Sequence, residues 1–145
     1  SNSTHLVERA FDIARALRTE KFDTLQELFN RALAQLSFKI IESQEKFFHM
    51  MVFLLLQMAQ LNVDAEVPTN DGSMDLAIPF KDTIVIMELK FNKPARDGVQ
   101  QIIDKDYAKK FRGDGRKLFA VGVSFALGDV DHNKCVVDVA WQELA

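Results

Sequence analysis

The chain has 145 residues, 48% of them hydrophobic and 27% charged, with a formal net charge of −3. That length and balance suit one ordinary globular core and exclude a disordered or collagenous chain. Net acidity excludes a general attraction to nucleic acid, and a single cysteine, Cys135, excludes an internal disulfide framework.

One cysteine is compatible with a reducing cytosol, so a cytoplasmic location is expected. The chain opens on Ser1-Asn2-Ser3 with no secretory signal pattern. This start reads as a cleavage scar on a longer natural protein carrying a further N-terminal domain.

Thr4–Arg18 has the periodicity of an amphipathic helix, with Leu6, Val7, Ala10, Ile13, Ala14 and Leu17 on one face. Asp23 or Thr24 can cap a second helix, in which Leu25, Leu28, Phe29, Ala32, Leu33 and Leu36 recur. Neither segment carries recognisable chemistry. Residues 1–41 are therefore expected to form a helical preface, packed on the core or acting as a hinge to a missing domain. Ser43 can cap a third helix running to about Asn62, apolar nearly all round. A membrane span needs ~20 such residues, and His49 and Gln57 interrupt this shorter stretch. It is expected to be a central buried helix, with no membrane partner. Glu45 falls in its first turn, where a carboxylate favours the helix dipole. His49 lies one turn later on the same face.

Val63–Pro68 reads as a strand with Glu66 pointing opposite to Ala65 and Val67, and Thr69–Ser73 reads as a turn. Glu66 and Asp71 are alternative acids, and a neighbouring strand could aim Glu66 at Asp75. Met74–Ile78 is a short strand with Asp75 and Ala77 on one face and Met74 and Leu76 on the other. Ile84–Phe91 follows, an apolar β-branched run of strand length. A turn at Lys81-Asp82 makes the two a hairpin, in which Asp75 comes near Glu88, with Lys90 just beyond.

Glu88 and Lys90 share a strand face, and Leu89 takes the other. Charges in so apolar a run are costly unless paired or bound to a metal. A solvated Glu-x-Lys pair is one explanation. Two carboxylates, Asp75 and Glu88, converging on a hard cation are the other, and Mg²⁺ (or Mn²⁺) commonly uses one or two carboxylates while keeping its waters. The Leu89 carbonyl offers a third ligand, and Lys90 is placed to orient water or stabilise negative charge.

Beyond Pro94, Asp97 can start a helix with a stripe of Val99, Ile102, Ile103, Tyr107 and Phe111, stopped by Gly113-Asp114-Gly115. Gln101 and Lys105 stand one turn apart on it. They form either an exposed polar pair or one that reaches water, metal-bound phosphate or Tyr107. Lys117–Phe125 and Lys134–Val139 read as strands joined by a turn at Gly128–Asn133, with Cys135 as buried packing and Trp141 as core cover. Nine of the 18 Lys and Arg residues lie in Lys90–Lys117, against four Asp. They make a solvated helix face and loop, or a phosphate-facing patch beside the carboxylates.

Asp75, a gap, and Glu88-Leu89-Lys90 resemble the motif of PD-(D/E)xK nucleases. The wider order is similar to one bacterial branch, the nuclease-like domain C-terminal to AAA-ATPase-like domains. That branch has a helix with a Glu (Glu45), a G-x-x-D strand (Gly72–Asp75) and the E-x-K strand (Glu88–Lys90). A helix with Q-I-x-x-K-x-Y follows (Gln101, Ile102, Lys105, Tyr107), then a strand with V-G-x-x-F (Val121, Gly122, Phe125). No Pro precedes Asp75, and Ser73-Met74 stand where the family tends to carry Arg.

The resemblance implies an α/β restriction-endonuclease-like core over 42–145, a mixed β-sheet flanked by helices. It implies Mg²⁺-dependent hydrolysis of nucleic acid, DNA before RNA, in a larger ATPase-containing protein. Asp75, Glu88, Lys90 and Gln101 would be catalytic, and Asp75, Glu88 and Leu89 would hold the metal. Glu45, Glu66, Lys105 and Tyr107 would be accessory. The alternative is a nuclease fold that has stopped cutting and serves as a binding or regulatory module.

Overall fold

A computed structural model of the chain describes residues 2–34, 36, 44–69, 72–129 and 133–145, with the side chains of all these except 2–4, 44, 68–69 and 72–74. Among these residues four α-helices and five strands run in the order α1 (Asn2–Arg18), α2 (Leu25–Leu33), α3 (Gln44–Met58), β1 (Asp64–Thr69), β2 (Gly72–Pro79), β3 (Thr83–Phe91), α4 (Ala95–Asp104), β4 (Lys117–Leu127) and β5 (Cys135–Leu144). The strands form one sheet in chain order. The pairs β1–β2, β2–β3 and β4–β5 are antiparallel, and β3–β4 is parallel. The parallel pair requires a crossover, and α4 supplies it. This mixed sheet between helices, with helices in front of it, is a restriction-endonuclease-like α/β fold.

Strand alternation divides the core in two. Leu76, Ile78, Val85, Met87, Leu89, Val121, Val123 and Phe125 face α1, α2 and α3. Ala77, Ile84, Ile86, Leu118 and Ala120 face α4, where Val99, Ile102 and Tyr107 meet them. α3 packs through Phe48, Val52, Leu55 and Leu56, all at most 1% exposed. The Phe48 ring stacks on Phe125 at 4.7 Å and lies 5.5 Å from Phe91. Phe91 and Phe125 are register partners near the C-terminal ends of β3 and β4. An aromatic plug thus braces those ends from the helical side.

The outer edge of β5 is satisfied by side chains rather than by another strand. The Asn30 amide donates to the Val137 carbonyl and accepts its N–H, both at 2.8 Å, and Gln26 accepts the Val139 N–H at 2.9 Å. An edge paired in this way has less to offer another chain.

Several boundaries differ from expectation. α2 ends at Leu33 rather than Leu36, and the Thr24 hydroxyl donates to the Lys21 carbonyl instead of capping the helix. Val7 is mostly outside the buried face of α1. β5 continues to Leu144 because its antiparallel ladder with β4 extends to Leu118↔Leu144. Trp141 is 42% exposed and rests one face near Phe22. Ser43 and Asp71 lie outside the described residues. Cys135 is buried and free, its thiol pushed up to about 12 by burial, and so is an inert packing residue. Among the described residues no helix is long and apolar enough to cross a membrane.

Candidate active site

The β2–β3 ladder pairs Pro79 with Ile84 and continues to Leu76 with Met87. The same register sets Asp75 opposite Glu88, and there side chains replace the backbone pairing. Glu88 Oε1 accepts the Asp75 N–H at 2.9 Å, and Asp75 Oδ2 accepts the Leu89 N–H at 2.8 Å. Each carboxylate is thereby fixed to the main chain of the other's strand. The two acids are held together by geometry rather than by attraction.

Glu88 is 2% exposed. Burial pushes its carboxyl up to about 8, and the negative Asp75 beside it pushes the same way. The hydrogen bond from the Asp75 backbone and the charge of Lys90 pull it back only partly. A carboxyl so perturbed beside a named charge partner makes this cluster the candidate functional site.

Lys90, half-buried on the same face, donates from Nζ to Oε1 of Gln101. Gln101 then donates from Nε2 to the Tyr107 hydroxyl at 3.1 Å. The amide cannot rotate freely without losing one partner, so its oxygen stays turned to the lysine. Tyr107 itself is 2% exposed. It is not on the helix of Gln101, as the periodicity had implied. α4 ends at Asp104, Lys105 returns its N–H to the Gln101 carbonyl, and Asp106 takes the left-handed conformation at φ 48. Asp tolerates that region better than most residues, and an ion pair with Arg112 at 2.6 Å holds it. The reversal carries Tyr107 into a short 3-10 turn, Tyr107–Phe111, underneath Gln101.

The remaining candidates are more dispersed. Glu45 is exposed in the first turn of α3, one turn before Phe48, and so lies toward the same end of the sheet as Glu88. His49 is half-buried, with Nε2 enclosed and unpartnered among the described residues. Glu66 occupies the β1 position in register with Asp75, but its φ of 51 breaks the alternation. Glu66 remains exposed while Val67 turns into the α4-side core. Lys105 is exposed at the end of α4. Among the described residues no three His, Cys, Asp or Glu side chains form a metal cluster.

The cationic stretch does not form one patch. Lys90, Lys93 and Arg96 lie at the C-terminal end of β3 and the start of α4. Lys117 pairs in register with Thr83 at the opposite end of the sheet and bonds Glu20 at 2.9 Å. Arg116 and Arg112, near it, are committed to Asp114 and Asp106. Proximity in sequence gave no guide to this split, since the chain crosses the whole sheet between the two groups.

Ser124 was not legible as a site residue. It is register partner of Lys90, 5% exposed, and its hydroxyl donates to the Lys93 carbonyl, pinning the loop between β3 and α4. A lone Ser in an apolar strand was its only signal.

A sequence model of the PD-(D/E)XK nuclease superfamily matches residues 43–134. The chain belongs to this superfamily. The match spans every element that builds the carboxylate pair and the Lys90–Gln101–Tyr107 chain. A curated relative, an uncharacterized protein in the vnfD 5′ region of Azotobacter chroococcum mcd 1, is 34% identical over 68 residues. That segment is 46% of this chain and 13% of the relative, so the similarity covers a small part of a much longer protein. PD-(D/E)XK nucleases generally use divalent metals, and the acid pair fits such an ion by its donor chemistry.

Proposed function

We propose that this domain hydrolyses phosphodiester bonds in nucleic acid, DNA in the first instance, with Mg²⁺ or Mn²⁺ held by Asp75, Glu88 and the Leu89 carbonyl. The observation that carries this reading is the crossed pair of hydrogen bonds that locks two carboxylates together, one of them with its pKa driven up to about 8. Two acids that cannot both ionise in a poorly solvated place are what a cation relieves, by displacing the proton. Each carboxylate gives one oxygen to a main-chain N–H, and the two side chains together would hold the cation. Bound there, a divalent ion supplies charge stabilisation at phosphorus and a more acidic water.

The chain's own residues do the rest. Lys90 offers a positive charge beside the carboxylates to orient the attacking water or meet the charge building on the phosphate. Gln101 holds Lys90 in place and Tyr107 holds Gln101. Glu45, from the first turn of α3, is an accessory acid. By the bacterial branch it resembles, we read residues 42–145 as the nuclease-like domain of a larger cytoplasmic protein with an ATPase-like domain.

The test is cleavage of supercoiled plasmid and single-stranded circular DNA in Mg²⁺ or Mn²⁺, wild type beside Asp75→Asn and Lys90→Ala. Each substitution should reduce nicking by on the order of 100-fold or more, as loss of a preorganised charge does, with melting temperature retained. Equal cutting by all three proteins sinks the assignment.

A further inference from the structure

We propose that Gly98 and Gly122 are positioning residues for the site. Together they set how closely α4 lies on Glu88 and so hold Gln101 within reach of Lys90. The catalytic consequence rests on the nuclease reading above, whereas the positional one does not.

Gly122 is the register partner of Glu88 on β4. A Cβ on Gly122 would stand 2.0 Å from the Ala95 carbonyl oxygen and 3.1 Å from the Val99 nitrogen, both main-chain atoms of α4. No side chain fits there unless the helix moves. From the other side, a Cβ on Gly98 would stand 3.0 Å from Gly122 Cα, 3.1 Å from the Glu88 main-chain oxygen and 3.3 Å from Glu88 Cβ. The helix backbone therefore lies directly on the backbone of two strands at the residue whose carboxylate is most buried.

Neither glycine needs a positive φ, so conformational freedom does not explain them. Gly98 even stands within a helix, where glycine is among the least favourable residues. Close approach is what remains. Gln101 follows Gly98 by one turn on the same helix, so any lift of α4 there carries the amide away from Lys90. The chain of contacts is short: Gly98 on Glu88, Gln101 on Lys90, Tyr107 under Gln101.

The two substitutions differ in force. Gly122→Ala meets backbone far inside contact distance and is expected to displace α4 outright. Gly98→Ala asks its neighbours to give by a few tenths of an ångström, while alanine favours the helix. Gly98→Ala is therefore the informative variant.

Its melting temperature should stay within a few degrees of the wild type, since the helix preference of alanine offsets the crowding. By nuclear magnetic resonance, the contact between the Gln101 side-chain amide and the Lys90 side chain should weaken or vanish. Nicking should fall about tenfold in kcat with KM unchanged, and the loss should disappear in a Gln101→Ala background, because residues acting through one another are non-additive. A Gly98→Ala protein that unfolds, or that keeps the amide–lysine contact, or whose kcat loss adds in full to that of Gln101→Ala, overturns the proposal. If the wild type does not cut, the nuclear magnetic resonance comparison decides it alone, and the nuclease reading fails separately.

Discussion

Along β3 the two faces of one strand obey different rules. Val85, Met87 and Leu89 continue apolar to the end, against a layer of helices sealed by Phe48 and Phe125. Ile84 and Ile86 begin the other face in the same manner, and then Glu88 and Lys90 replace hydrocarbon under α4. One face is built for stability alone. The other gives up hydrocarbon packing at its last two inward positions to hold a buried acid and a cation. A buried ionisable group costs free energy unless it is partnered, and its presence on one face only makes that face the candidate site.

Substitutions should separate the faces. The largest effect belongs to the apolar one. Phe48→Ala removes a fully buried stacked ring and is expected to cost about 3–5 kcal/mol, measured by urea unfolding, with metal binding retained in the folded fraction. Loss of metal binding at full stability would erase the distinction.

Glu88→Gln should act in the opposite direction. The carboxyl titrates near 8 when folded and near 4.5 as the unperturbed group. The folded chain therefore holds a proton that the unfolded chain has lost. Its stabilising contribution is complete below about 4.5 and is lost as pH rises through about 8, a total on the order of a few kcal/mol. Glutamine removes that loss, so the variant should outlast the wild type at high pH in a pH series of melting curves, and should not cleave. A wild-type stability that rises across this window would contradict the buried, protonated acid.

The same proton competes with a cation. Affinity for Mn²⁺ should climb by up to about tenfold per pH unit below 8 and then level off, with about one proton released on binding. Calorimetry in two buffers of different ionisation enthalpy reads that proton directly. Asp75→Asn should abolish the Mn²⁺ signal.

Smaller still is Asn30→Ala, which frees a backbone N–H and C=O on the edge of β5 and should cost about 1–2 kcal/mol. Faster hydrogen exchange at Val137 would report it. Lys117→Gln, at an exposed ion pair with Glu20, should leave the melting temperature where it was.

Much of this was legible in one dimension. Period-two alternation in Ile84–Phe91 put Glu88 and Lys90 together and Leu89 apart, and the short Lys81-Asp82 turn brought Asp75 to Glu88. Both hold, because strand pleat and tight hairpins are local properties of the chain. Local reasoning failed where the chain reversed without a glycine or proline to announce it. Asp106 ends α4 in a left-handed conformation and moves Tyr107 off the helix, and Glu66 does the same to the alternation of β1. The charge-rich stretch Lys90–Lys117 misled for another reason, since a crossover places its two ends at opposite ends of the sheet.

By itself, then, the sequence determined the strands, the facing of the acid pair and the likeness to a nuclease motif, all set by spacing within a few residues. Only the tertiary structure decided how buried Glu88 is, that each acid grips the main chain of the other's strand, and that Gly98 and Gly122 let α4 descend onto them. Those depend on atoms far apart in the chain meeting at van der Waals distance, and no periodicity encodes that distance.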